Sequence, residues 1–201
     1  MMDADASADR PRVLAAVLAG GHSRRMGTSK AIVELGGRPL IEYPLAALAA
    51  AGVEAVVVAK PHSALPELTV PTWIEPPEPA HPLCGILAAI QRSAGPVLVV
   101  GCDLPFVPAR LLAWLAGLPG RLVVPSTEAR LHPLLARYDP SLEPALAAAL
   151  GRSAPLQRVV GELDPRIVTE DELARFGHPE RLLFNVNTPD ELALAERMLN
   201  R

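Results

Sequence analysis

The sequence predicts one α/β domain, a three-layer sandwich around a mostly parallel central sheet, and three observations predict it. Almost wholly apolar runs of strand length stand at residues 13–18, 53–59 and 97–102, with Ala/Leu-rich stretches of helical length between them. Such runs do not alternate apolar with polar, which is the pattern of strands covered by helices on both faces. The order strand, loop, helix, strand over residues 13–59 calls for a crossover connection, and crossovers of this kind are right-handed by strong preference.

Taken in order, residues 12–18 read as a central strand that ends in Gly20 and Gly21. A short apolar piece at 31–35 and a Gly36-Gly37 turn lead into a helix over 39–51. Pro44 is tolerated there because it falls in or near the first turn, where backbone N–H groups have no intrahelical acceptor. Gly52 stops this helix and 53–59 forms the second strand. The proline-rich path 61–82 reads as surface chain with a short strand at 70–74, and Pro82 opens a helix that aligns Leu83, Leu87 and Ile90. A strand over 97–102 delivers Asp103 at its end. A helix over 108–116, a strand at 122–124 and an extended piece over 131–138 follow. Pro133 inside that piece demotes it to an edge or a bulge. Residues 140–150 and 155–161 are helical by composition. Thr188 and Glu191 form a capping box with Pro189 at the first helical position, and the closing helix presents Leu192, Ala195 and Leu199 on one face.

Composition narrows the partners. With 201 residues and half of them hydrophobic, the chain can bury one ample core, here assigned to residues 12–201. Residues 1–11 are polar and lack an apolar stretch, so they read as a disordered lead-in and not as a secretory signal. No run reaches the roughly 18 apolar residues of a membrane span, and a cytoplasmic location is expected. A formal net charge of −3 without basic runs argues against nucleic acid or an anionic membrane as partner and leaves small anions. Cys84 and Cys102 have no CxxC spacing and are expected as buried free thiols.

The positive charge that exists is local. The stretch LAGGHSRRMGTSKA at 18–31 places Arg24, Arg25 and Lys30 within seven residues, directly after a strand that ends in paired glycines. Gly20 and Gly21 let bare backbone N–H groups face an anion, so the loop reads as a clamp for a polyphosphate. It is not a Walker loop, because Arg25 and Met26 stand where the second glycine and the lysine belong, and no GxGxxG is present. Asp103 at a strand's carboxyl end faces the same crevice as the clamp and is the candidate metal ligand, the alternative being a cap for the helix near 108. Asn185 and Asn187 alternate and so point to one side, where they orient metal, ribose or acceptor, or else pin the start of the last helix. His132, Arg152 and Arg158 are further candidates for substrate contact, each with a structural or solvated alternative.

The loop at 18–31 in the order LxGGxSxRMGxxKA, together with PLCGI at 82–86, GCDLP at 101–105, His132-Pro133 and NVNTP at 185–189, resembles the molybdenum cofactor guanylyltransferase family nearly end to end. The resemblance implies a Rossmann-like nucleotidyltransferase domain that moves GMP from GTP to the terminal phosphate of molybdopterin, with Mg2+, and releases pyrophosphate. It implies that Leu18, Ala19, Gly20, Gly21 and Gly85 line the nucleotide site, that Lys30 and Arg25 hold phosphate, that Asp103 holds the metal, and that Asn185 and Asn187 lie near the acceptor. Transient contact with molybdoenzymes or other cofactor-biosynthesis proteins is expected on the same ground. LAGG at 18–21, and asparagines in the tail motif, favour GTP over the CTP of the related cytidylyltransferases. Ser29, Ala59 and Pro76 depart from the family pattern, and Glu75 supplies the missing carboxylate only if the backbone shifts by about one residue, roughly 3.3 Å. Cytidylyl or sugar-phosphate nucleotidyl transfer on the same scaffold, and a nucleotide-binding module without turnover, are the alternative readings.

Overall fold

The computed structural model describes residues 12–20 and 28–200. Residues 1–11, and Gly21, Arg24 and Arg25 of the clamp, lie outside the described residues. The chain opens with β1 (Leu14–Leu18). A 3-10 turn over Lys30–Ile32 then leads into the hairpin β2 (Glu34–Leu35) and β3 (Arg38–Pro39), closed by Gly36 and Gly37 at positive φ. Helix α1 (Glu42–Ala50) carries Pro44 in its first turn, as expected. It is followed by β4 (Ala55–Ala59), the short β5 (Thr72–Ile74) and α2 (Pro82–Arg92). His81 caps α2 by accepting from the Leu83 N–H at 3.1 Å, with Pro82 in the first turn, where no N–H is needed.

Strand β6 (Val97–Gly101), α3 (Ala109–Gly117), β7 (Leu122–Thr127), β8 (Arg130–Leu131) and β9 (Leu135–Tyr138) come next. The chain then runs through α4 (Glu143–Gly151), α5 (Leu156–Glu162), β10 (Arg166–Val168), α6 (Glu170–Ala174), α7 (Pro179–Leu182) and α8 (Pro189–Leu199). The sheet order is β10-β7-β9-β6-β1-β4-β5, with β8 paired to β7. β1 runs parallel to β4 and β6, β4 to β5, and β10 to β7, while β9 is antiparallel to both β6 and β7. The expected mostly parallel sheet is therefore present, with β9 reversed inside it and β8 reversed against β7.

Alternation along the central strands divides the core. Ala15 and Val17 of β1, Val57 of β4, and Leu98 and Val100 of β6 face one side, where Leu48 of α1 and Leu111, Leu112 and Leu115 of α3 cover them. Ala16, Val56, Val58, Val97 and Val99 face the other, under Leu83, Ile86 and Ile90 of α2, Leu146 of α4 and Val160 of α5. This period of two, filled on both faces, makes the three layers and accounts for the unbroken apolar runs. A smaller cluster joins Val33, Leu35 and Leu40 near the hairpin to Val186 and to Ala195 of α8, which seats the last helix beside the clamp segment.

Two expectations need correction. The piece expected as an edge or bulge is a central strand: Pro133 sits in the turn before β9, outside the paired residues 135–138, so it removes no ladder bond. The buried Tyr138 hydroxyl donates to the Pro133 carbonyl at 2.8 Å and ties that turn to the strand. The second correction concerns α8. Thr188 Oγ1 accepts from the Glu191 N–H at 3.2 Å, but the Glu191 carboxylate accepts from the Asn187 N–H at 2.7 Å and not from Thr188. The reciprocal box is found instead at α6, between Thr169 and Glu172.

Tyr138→Phe removes the donor and leaves the Pro133 carbonyl buried without it, which is expected to cost about 1–3 kcal/mol. The cost should appear as a lower urea midpoint at unchanged slope. An unshifted midpoint would contradict this role for the hydroxyl.

Candidate functional site

Because β1, β4, β5 and β6 run in one direction, their carboxyl ends bring Gly20, Lys60, Glu75 and Asp103 to one edge of the sheet. The chain continues from β1 to β4 on one side, whereas β6 lies on the other, so the order reverses between β1 and β6. A crevice opens at such a reversal and is the usual ligand site of an open α/β sheet. The backbone holds its walls in register: the Ala19 N–H donates to the Val58 carbonyl at 2.8 Å, Cys102 N–H to Leu18 at 3.2 Å, and Glu75 N–H to Ala59 at 2.9 Å.

At the β6 side, Lys30 Nζ lies 2.8 Å from Asp103 Oδ2, with the two side chains 19% and 15% exposed. Lys30 also donates to Asn187 Oδ1. The lysine projects from the 3-10 turn whose neighbour Ala31 is fully buried, so burial of Ala31 fixes where Lys30 starts. Asp103 is fixed in turn, since its carbonyl accepts the Val186 N–H at 3.0 Å. Asp103 does not cap α3, whose N-cap is Pro108 without a side-chain bond. The segment at 184–187 belongs to no helix or strand; Val186 is buried and half-buried asparagines flank it. Asn187 thus meets Lys30, whereas Asn185 makes no side-chain hydrogen bond among the described residues. Ser29 Oγ, directly before Lys30, is buried without a partner among the described residues.

At the β1 side, Glu75 is 6% exposed and its carboxyl group is wedged between two glycines. A Cβ at Gly20 would lie 1.8 Å from Glu75 Oε1. One at Gly85 would lie 3.2 Å from Glu75 Oε2 and 3.2 Å from Leu18 Cδ2. Both glycines therefore flank this carboxyl group, and β5 stays in register with β4 while delivering it. Lys60 Nζ donates to the Pro76 and Pro77 carbonyls at 2.9 and 2.8 Å and holds the chain that follows Glu75. Burial raises the Glu75 pKa above the ordinary carboxylate value, and the Lys60 charge opposes that rise.

Of the remaining candidates, His132 takes a structural place and the two arginines lie at the surface. His132 Nε2 lies 2.7 Å from Thr127 Oγ1, and burial pushes its pKa down, so it joins the β7–β9 connection as a neutral hydrogen-bonding group. Arg158 pairs with Glu162 on the exposed face of α5, and Arg152 is exposed at the end of α4. Neither bonds to Lys30, Asp103 or Glu75 among the described residues. Cys84 and Cys102 are buried and free, and burial together with the Asp103 charge pushes the Cys102 thiol up to about 12. A thiol so protonated is no nucleophile at neutral pH. Lys60 and the bond from the Asn187 N–H to Glu191 were not anticipated from sequence. The only signals were a lysine standing first after an apolar strand, and a cap residue that was assigned one partner too late.

Among the described residues no three His, Cys, Asp or Glu side chains gather as a metal site. Asp103 and Asn187 offer one carboxylate and one amide oxygen, which suits a hard divalent cation completing its shell with water and ligand phosphates.

The raised Glu75 value has a sign. Its contribution to folding is fullest below the unfolded value, about 4.3, and is lost as pH rises through the raised folded value. Glu75→Gln should therefore outlast the parent in urea at pH 7, with the gap closing toward pH 4; a pH-independent gap would contradict the burial described. Gly20→Ala should cost about 1–3 kcal/mol by overpacking. Much of that should return in Gly20→Ala/Glu75→Ala, and an equal loss in both would place the clash elsewhere.

Comparison with known proteins agrees with this fold. The profile of the MobA-like NTP transferase domain matches residues 15–167. A molybdenum cofactor guanylyltransferase of Rhizobium johnstonii is 35% identical over 209 residues, covering 98% of this chain and 97% of that protein. One of Cereibacter sphaeroides is 34% identical over 199 residues, with 94% and 98% covered. The crystal structure of molybdopterin-guanine dinucleotide biosynthesis protein A from Archaeoglobus fulgidus superimposes with a TM-score of 0.78 at 26% identity, over 93% of this chain and 98% of that one. By sequence along nearly its whole length and by fold, the chain belongs to the MobA-like NTP transferase family of nucleotidyltransferases.

Proposed function

We propose that this protein transfers GMP from GTP to the terminal phosphate of molybdopterin and releases pyrophosphate. The observation that carries the proposal is the convergence of Lys30, Asp103 and Asn187 at the crevice beside Gly20, in a chain so similar to guanylyltransferases. The acceptor phosphate is already anionic at neutral pH, with a second pKa of about 6, so no general base is needed. An oxygen of that phosphate attacks the α-phosphorus of GTP, the bond from the α-phosphorus to the bridging oxygen breaks, and pyrophosphate leaves with the electron pair.

Each residue then has a task of position or charge. Lys30 neutralises the triphosphate and the leaving pyrophosphate, helped by the Gly20 N–H and by Arg25 and Gly21 of the same loop. Asp103 and Asn187 are the residues to hold a divalent cation, which relatives in this class commonly use and which we assign as Mg2+. Bound there, it supplies positive charge to the phosphate oxygens as the leaving group departs. Asn185, two residues before Asn187 and without a side-chain bond among the described residues, is left to meet the acceptor. Glu75 is the base reader: two carboxylate oxygens match the adjacent ring N–H and amino donors of guanine, whereas cytosine presents one amino donor beside acceptors. Gly20 and Gly85 permit that close approach, since side chains there would meet the carboxyl group.

Pyrophosphate release with molybdopterin and Mg2+ tests the reading, with GTP, CTP, ATP and UTP run in parallel. Release with GTP alone is expected, and Lys30→Ala or Asp103→Ala should lower it by about 100 to 1,000-fold, the usual loss for a preorganised charge contact. Preference for CTP, or near-normal turnover in either variant, would overturn the assignment.

A further inference from the structure

The position of Lys30 competes with both tasks just assigned to Lys30 and Asp103. Its ammonium sits 2.8 Å from Asp103 Oδ2, on the carboxylate a metal ion needs, and its charge is already balanced there. A hard cation such as Mg2+ approaches carboxylate oxygen to about 2.0–2.1 Å, which brings two cations onto one carboxylate. We infer that the Lys30–Asp103–Asn187 contact is a lock in which Lys30 stands in for the metal, and that metal and triphosphate open it together. The inference rests on the proposed roles of Asp103 at the metal and Lys30 at phosphate.

The lock is built from the far end of the chain. Asn187 Oδ1 is the second seat of the Lys30 ammonium, and the Asn187 N–H donates to Glu191 Oε2 at 2.7 Å. Glu191 stands in the first turn of α8, where its own N–H is held by Thr188 Oγ1 at 3.2 Å. Helix α8 packs against the hairpin after Lys30 through Val33, Leu35 and Ala195, so both sides of the contact rest on one apolar cluster. Glu191 is accordingly a positioning residue for Asn187 and, through it, for Lys30.

Charge balance makes the two ligands cooperative. Metal alone displaces the ammonium from Asp103 and leaves it partly desolvated without an anion. Triphosphate alone draws Lys30 away and leaves the Asp103 carboxylate facing phosphate oxygens. Arriving together, the ligands give every charge a new partner of opposite sign. Coupling of this kind between two ligands is typically about 5 to 150-fold in affinity.

The test uses Mn2+, whose free form is counted by electron paramagnetic resonance, titrated into the protein without nucleotide and without acceptor. Lys30→Met should bind Mn2+ about 5 to 150-fold more tightly than the parent, while its affinity for GTP with Mn2+ falls. Lys30→Arg keeps the cation and should leave Mn2+ binding weak. Glu191→Ala should move nucleotide-free Mn2+ binding part of the way toward Lys30→Met, with Glu191→Gln nearer the parent. Lys30→Gln serves as the second neutral variant, with circular dichroism as the check on folding. Asp103→Asn separates the layers of the argument: loss of Mn2+ binding there, with no tightening in Lys30→Met or Lys30→Gln, overturns the lock and leaves the metal assignment standing. Parental Mn2+ binding in Asp103→Asn overturns both.

Discussion

Parallel pairing of β1 with both β4 and β6 is the constraint on which the site depends. It places three loops at one edge of the sheet, and the reversal of strand order beside β1 opens the crevice between Gly20 and Asp103. The pairing is possible because each of these strands buries both faces, one under α1 and α3 and the other under α2 and α4. Polar residues are thereby excluded from the strands and collected at their ends. The chemistry is in part a product of that exclusion: Lys60 and Asp103 are each among the first charged residues that the chain can afford after an apolar strand.

The crevice also has two electrostatic halves. On the β6 side a lysine and an aspartate satisfy one another while remaining open enough to exchange partners. On the β1 side a glutamate is desolvated between Gly20 and Gly85, with Lys60 occupied by carbonyls close by. The first half suits a group that brings both negative charge and a metal, and the second suits a neutral group that brings hydrogen-bond donors. A guanine nucleotide carries both kinds of group at opposite ends, so the proposed substrate accounts for a crevice lined so unevenly.

Much of this was legible in the sequence because apolar runs of strand length have few alternatives. The runs at 13–18, 53–59 and 97–102 became β1, β4 and β6 with ends shifted by at most two residues, and Asp103 was recognisable as the first acid after the third. Lys30 stood out because the chain is otherwise poor in clustered positive charge. The place of β9 was not legible: a four-residue strand after Pro133 gives no local sign that it will pair between β6 and β7. Nor was the wedge of Glu75, which depends on two glycines 65 residues apart, Gly20 and Gly85, approaching the same carboxyl group. The capping bond of Glu191 differs from expectation by one residue, because Asn187 is held to Lys30 from the other side and its N–H is thereby brought within reach. Tertiary contact decided each of these, and local pattern carries no record of it.

The most direct test of the account is a crystal structure with Mn2+ and an α,β-methylene analogue of GTP, with the metal located by its anomalous scattering. The account predicts the metal on Asp103, the Lys30 ammonium moved from Asp103 to a phosphate oxygen, and the donor edge of guanine on Glu75. A Lys30 ammonium still about 2.8 Å from Asp103 Oδ2, with nucleotide and metal bound away from both, would contradict it.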